Sequence, residues 1–200
     1  MHEEDSRVSP AAQLGLVVLV FVVYLPALSC DFVYDDHKLI VSRPPPRTLG
    51  DVAAVFTQRQ TANLPYYRPV TWLTLDLQSL MHGRSASAFH AVNVALAAVA
   101  VVLVAGLLSW QAFGMSPAAA VAAAAVFAVH PVTACVVYPV CSGRETLVSS
   151  VAMLAAMVSW LRGGRRWRLT SLALLAVALL SREQAVVLPG LFVLADVLRL

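Results

Sequence analysis

Charge is scarce in this chain. Lys, Arg, Asp and Glu make up 12% of its 200 residues, against 60% apolar, and the mean hydropathy is +0.77. A water-soluble domain could not cover its surface with so few polar groups, so the composition excludes one and implies a polytopic membrane protein. The basic residues form no stripe and the net charge is only +3, which excludes a nucleic-acid partner. Cys30, Cys135 and Cys141 are too few for a disulfide framework and read as free thiols. At the N-terminus, Glu3, Glu4 and Asp5 stand where a secretory signal needs cations, so the first apolar run reads as a retained anchor.

The charge that is present lies mostly in front. Residues 1–86 hold 8 of the 11 acids and 7 of the 14 Lys and Arg, leaving 3 and 7 for residues 87–200. The chain divides into a cytoplasmic N-terminus at 1–10, a first transmembrane helix at 11–28, an outer loop at 29–86 and a multi-helix membrane region at 87–200. Within the outer loop, Arg43-Pro44-Pro45-Pro46-Arg47 is a stiff extended piece. Thr48 with Asp51 marks a helix start, and Leu49, Val52, Ala53 and Phe56 give a short amphipathic face suited to a membrane surface. The spacing predicts a second helix over 70–81, with Leu73, Leu77 and Leu80 on one face and Gly83 at its end. Asp76 and Asp196 read as solvated or helix-end carboxylates, and Trp72 and Trp160 as interfacial anchors. About five further apolar segments follow, at 88–108, 117–129 (capped by Ser116, ended by His130-Pro131), 145–161, 169–180 and 186–198.

Arg162, Arg165, Arg166 and Arg168 crowd one short loop, which the positive-inside rule places in the cytoplasm. Counting spans from it puts 29–86, 131–144 and 181–184 outside. The polar residues that interrupt the apolar segments then fall on one side: Asp35, Asp36, His37 and Arg68, then His90 and Asn93 on one helix face, then His130, Arg144 and Glu145, then Arg182 and Glu183. Singly, each charged pair is explained as well by headgroup water. As a set on one face they point to a site.

That set contains carboxylates able to take a proton and arginines able to hold phosphate oxygens. Such chemistry suits transfer from a lipid-phosphate donor, with Asp35 or Asp36 taking the acceptor's proton and arginine stabilising the departing phosphate. A divalent metal on Asp35, Asp36, His37 and a spanning histidine is a weaker reading, because no diagnostic ligand spacing exists. A proton-coupled transporter fits less well, since the acids lie at the rim and no inverted repeat is visible. A non-catalytic subunit that binds lipid-linked sugar or scaffolds a partner is the remaining alternative.

An ordered series of short motifs carries a resemblance. Phe32-Val33-Tyr34-Asp35-Asp36 comes first, then Tyr67-Arg68-Pro69-Val70-Thr71, Phe89-His90-Ala91-Val92-Asn93 and Phe127-Ala128-Val129-His130-Pro131. Ser142-Gly143-Arg144-Glu145 and Leu180-Ser181-Arg182-Glu183-Gln184-Ala185 complete it. The series resembles the N-terminal membrane region of the transmembrane and tetratricopeptide-repeat O-mannosyltransferases, glycosyltransferases of the GT-C class, and their bacterial relatives. The resemblance implies an all-α, GT-C-like helical bundle that transfers a sugar, typically mannose, from a polyprenyl- or dolichyl-phosphate donor to a protein or glycan acceptor on the outer or lumenal face. It places the catalytic acid at Asp35 or Asp36, with Arg68, His90, Asn93, Arg144, Glu145, Arg182 and Glu183 around the donor, and it requires no cofactor. Two positions depart from the family pattern: Ala97 stands where a second histidine is frequent, and Arg182 where lysine is common. The resemblance also implies further spans and helical repeats beyond Leu200. The alanine-, valine- and arginine-rich composition favours a bacterial inner membrane, with the endoplasmic reticulum membrane as the eukaryotic equivalent.

This orientation is testable by labelling. In a cysteine-free background, a membrane-impermeant maleimide on intact cells should label Arg47→Cys and reach Arg165→Cys only after permeabilisation. Labelling of both from outside would reverse the topology.

Overall fold

The computed structural model describes residues 8–57, 66–110 and 113–198. Among them there is helix and no strand. The residues 1–7 expected in the cytoplasm, and 58–65 of the outer loop, lie outside the described residues.

Helix α1 spans Pro10–Tyr24 and tightens into a 3₁₀ turn, Leu25–Ser29, at Pro26. Ser9 caps its start by accepting from Ala12 N. Helix α2 (Leu49–Ala53) begins with the expected capping box: Asp51 N donates to Thr48 Oγ1, and Thr48 N donates back to Asp51 Oδ2. Helix α3 covers Pro69–His82 and ends at Gly83, whose φ of 61° is a left-handed conformation that glycine adopts without strain. Helix α4 covers Ala86–Leu108, α5 Pro117–Val129 and α6 Pro131–Val137. Helices α5 and α6 form one bent unit with a 58° angle between them. The bend follows from Pro131, which holds His130 extended and ends α5. Helix α7 is Val140–Arg162, α8 Gly164–Leu179 and α9 Leu188–Val197.

Two helical segments, Pro10–Ser29 and Ala86–Leu108, are long and apolar enough to cross a membrane, and a third is if the α5–α6 pair counts as one span. The described residues are thus all-α, as the resemblance implies, with two to three helices fit to span a membrane, as the composition implies. Helix α4 sits between α1, α5 and α7, and α8 lies along α7. Leu16, Val20 and Tyr24 of α1 pack with Val94, Ala97 and Val101 of α4 and with Ala124 and Ala128 of α5. Small residues let the axes close up, and hydroxyls bond across the gaps as they do between helices in lipid. Tyr24 Oη donates to Ala128 O at 2.8 Å, and Ser171 Oγ to Ala156 O at 2.8 Å.

Several local expectations are corrected. The connection expected at 131–144 is instead α6 plus the first turns of α7, which starts at Val140 rather than Glu145. The buried face of α3 is Trp72, Leu75, Asp76 and Gln78, while Leu77 is exposed. In α2 and the 3₁₀ turn Ala54–Phe56, Val52 and Val55 point inward, and Leu49 and Phe56 outward. Trp72 is buried, with the Arg43 guanidinium 4.7 Å from its ring centroid, and so is not an interfacial anchor. Asp76 is not solvated. It accepts from Arg43 Nη1 at 2.6 Å and Nη2 at 2.9 Å, and burial pushes its carboxyl above the usual range although Arg43 opposes the shift. This forked pair ties the Pro44–Pro46 segment to α3.

Gly143 has the closest surroundings of the glycines described: an added Cβ would lie 2.1 Å from Val136 O and 3.1 Å from Asn93 Nδ2. Gly143→Ala should therefore destabilise by about 2–3 kcal/mol. Gly106→Ala, in open space on α4, serves as the control. Thermal unfolding in detergent reads the difference, and equal midpoints would contradict this packing.

Candidate functional site

Helix α7 starts at Pro139 without a side-chain cap of its own. Its first amides find an acceptor far away in sequence. Asp36 Oδ2 accepts from Val140 N at 3.1 Å and Oδ1 from Cys141 N at 2.8 Å. The same carboxylate accepts from Val33 N at 3.2 Å, closing a tight turn in which Asp36 N donates to Val33 O. Tyr34 takes the positive φ of 48° that this turn requires and stands 90% exposed. Asp36 is fully buried and Asp35, its neighbour, is exposed. Phe32 packs edge-to-face on Phe89 at 5.6 Å and fixes the turn to α4.

One turn into α7, Arg144 is only 1% exposed. Its Nε donates to Asn93 Oδ1 at 2.7 Å, and its Nη2 to Gln78 Oε1 at 2.9 Å and to Phe89 O at 3.1 Å. Asn93 Nδ2 in turn donates to the carbonyls of Pro139 at 3.1 Å and Val140 at 3.3 Å. This network joins α3, α4 and α7 through neutral acceptors. His90, one turn before Asn93, is also wholly buried, and both its ring nitrogens lack a protein partner.

Beside this network the opposite charges meet. Arg68 Nη1 binds Glu145 Oε2. Its Nε reaches both Glu183 oxygens at 3.1 and 3.2 Å, and its Nη2 lies 2.7 Å from Glu183 Oε2. The Tyr66 ring lies under the same guanidinium at 4.2 Å. Hydrogen bonding from Arg68 holds the Glu183 carboxyl below the usual range. Arg182 donates to Thr146 Oγ1 and lies close enough to Glu145 and Glu183 to act on both charges. Among the described residues it forms no ion pair, so part of its fork faces no carboxylate.

The ends of α3, α7 and α8 thus come together at Arg68, Glu145, Arg182 and Glu183, and Asp36 brings Asp35 to the start of α7 at Val140 and Cys141, five and four residues before Glu145. Asn93 and Arg144 lie just beneath. His130 does not join them; its Nδ1 accepts from Val132 N and caps α6. Among the described residues no three His, Cys, Asp or Glu side chains gather as a metal-ligand set. Sequence reasoning missed Gln78, Thr146 and Tyr66. Gln78 carried a signal: Thr71, Leu75 and Gln78 recur at helical spacing from Arg68, a face that mixes polar with apolar residues.

The chain is similar to several known proteins. Protein O-mannosyl-transferase Tmtc1 of Drosophila melanogaster is 34% identical over 211 residues, covering 94% of this chain and 23% of the relative. Protein O-mannosyl-transferase TMTC4 of Homo sapiens is 30% identical, covering 98% of this chain and 31% of the relative. Protein O-mannosyl-transferase Tmtc2 of Drosophila melanogaster is 32% identical, covering 90% and 21%. The chain therefore spans between a fifth and a third of the length of these relatives. No family model and no solved structure matches it.

The two adjacent aspartates should separate cleanly in stability. Asp36→Ala leaves buried amides without an acceptor and should cost about 2–4 kcal/mol, whereas exposed Asp35→Ala should stay within about 0.5 kcal/mol of wild type. Equal shifts in the detergent unfolding midpoint would contradict the capping role of Asp36.

Proposed function

Because this chain belongs to the transmembrane and tetratricopeptide-repeat O-mannosyltransferase family, we propose that it carries the catalytic end of a glycosyltransferase that moves mannose from a polyprenyl- or dolichyl-phosphate donor to an acceptor hydroxyl. The reaction takes place at the outer or lumenal surface, and the acceptor is a protein or a glycan. The observation that carries this reading is the division of labour between the two aspartates. Asp36 is saturated by three backbone amides and positions the turn. Asp35 is exposed beside it, with its carboxylate available to a substrate.

In this reading the acceptor oxygen attacks the anomeric carbon and forms the new glycosidic bond. Its proton passes to the Asp35 carboxylate. The bond between the anomeric carbon and the phosphate oxygen breaks, and the lipid phosphate departs with the electron pair, gaining one negative charge. Arg182, whose fork is only partly engaged, meets that charge, and Arg68 stands next to it. Arg144 is committed to Asn93, Gln78 and the Phe89 carbonyl, so its part is to hold α7 in register rather than to touch the donor. The outward Leu49 and Phe56 of the short surface helix border the lipid tail.

A transfer assay in membranes with radiolabelled polyprenyl-phosphate mannose tests this. Asp35→Asn should lose at least about 100-fold in rate with an unchanged unfolding midpoint, and Arg182→Gln should lose about 10-fold or more. Full transfer by Asp35→Asn would remove the assigned base.

A further inference from the structure

The phosphate seat of this site is already filled by a side chain. Arg68 presents its Nε and Nη2 edge to Glu183 as a fork, with both carboxylate oxygens within 3.2 Å of Nε. Two oxygens on one guanidinium edge is the geometry that carboxylate and phosphate share. We propose that Glu183 is an internal stand-in for the donor's phosphate: it occupies the Arg68 fork in the empty site, and the phosphate of the lipid-linked sugar displaces it into solvent. The proposal rests on the reading that this end of the bundle takes a lipid-phosphate donor.

Burial decides which carboxylate gives way. The Glu183 side chain is 56% exposed and that of Glu145 only 13%. Glu183 is the exposed half of its pair with Arg68, whose own side chain is 14% exposed, so its carboxylate is rehydrated as it leaves. Releasing Glu145 would strand a charge in a largely dry site. Glu145 and the Tyr66 ring also keep the Arg68 guanidinium in place after Glu183 leaves.

Charge balance points the same way. With Glu183 in place, Arg68 and Arg182 are cancelled by Glu145 and Glu183. With Glu183 in solvent, the Arg68, Arg182 and Glu145 cluster by itself, the Asp35 base set aside, keeps one net positive charge, opposite to the single negative charge of a phosphodiester donor. It also favours the second charge that the phosphate acquires as the sugar leaves. Arg182 need not move, because Thr146 holds its side chain and Ala178 O its backbone amide. The depressed Glu183 carboxyl keeps the stand-in ionised at neutral pH. A neutralised fork is thereby closed to weakly held anions and open to a donor whose lipid tail adds binding energy.

The test is binding of farnesyl phosphate, a short prenyl phosphate, to the full chain in phosphatidylcholine nanodiscs at neutral pH, by calorimetry. Glu183→Gln keeps the side-chain volume and removes the competing charge. It should tighten binding about threefold to tenfold, while Arg68→Gln should weaken it about tenfold or more. In the Arg68→Gln background, adding Glu183→Gln should change binding less than about twofold, because the two residues act on one seat. Unchanged or weaker binding by Glu183→Gln, with Arg182→Gln still weakening it, would overturn the stand-in and leave the phosphate site standing. Equal tightening by Glu183→Gln with and without Arg68 would reduce the effect to general charge repulsion and also overturn it. Insensitivity to Arg68→Gln and Arg182→Gln alike would remove the donor site itself, and the stand-in with it.

Discussion

The bond between the Asp36 carboxylate and the first amides of α7 is the constraint on which the candidate site depends. A helix that begins on a proline with no local cap leaves amides to be satisfied from elsewhere. Here the acceptor comes from a turn more than a hundred residues earlier, and its negative charge also suits the positive end of the helix. Because the bond is buried it cannot be exchanged for water. One contact therefore satisfies α7, closes the turn around Tyr34 and sets Asp35 at the rim of the bundle.

The arginines divide in the same way. Arg144 lies within the fold, and its bonds to Asn93, Gln78 and Phe89 O lock three helices together at one end of the bundle. Removing any one acceptor would leave a buried charge short of a partner. Gly143 beside it leaves no room for a side chain because the last turn of α6, at Val136 O, passes within contact distance. Arg68 and Arg182 lie nearer the surface, Arg68 paired with Glu145 and Glu183 and Arg182 bonded to Thr146. The candidate site sits at the edge of a layer in which, among the described residues, every buried side-chain polar atom apart from the two His90 ring nitrogens has a partner.

How much of this was legible follows from how local each cause is. The Thr48–Asp51 capping box, the Ser116 cap and the break at Pro131 are fixed by near neighbours and were read correctly. The convergence of Arg68, Glu145, Arg182 and Glu183 on one face was also legible, because span counting orders helix ends even when helix packing is unknown. Asp35 and Asp36 could not be told apart, since what distinguishes them is an amide pair at Val140 and Cys141. Asp76 and Trp72 were misread for a similar reason: their partner, Arg43, lies 33 residues from Asp76 in sequence. The leucine spacing on α3 does not coincide with its buried face, since Leu73 packs on the core while Leu77 is exposed, because apolar periodicity does not mark the inside of a protein that also meets lipid. Leu77 can face outward at no cost there, while Gln78 and Asp76 need partners within.

The central claim is that the acidic turn and the turn after α8 lie on the same side of the membrane and against the same end of α7. A distance between spin labels at Tyr34→Cys and Gln184→Cys, measured by double electron–electron resonance in nanodiscs, tests it most directly. The rise of about one helical turn plus one interhelical spacing puts the label separation below roughly 25 Å. A distance at or beyond about 40 Å, as for labels on opposite sides of a bilayer, would contradict the account.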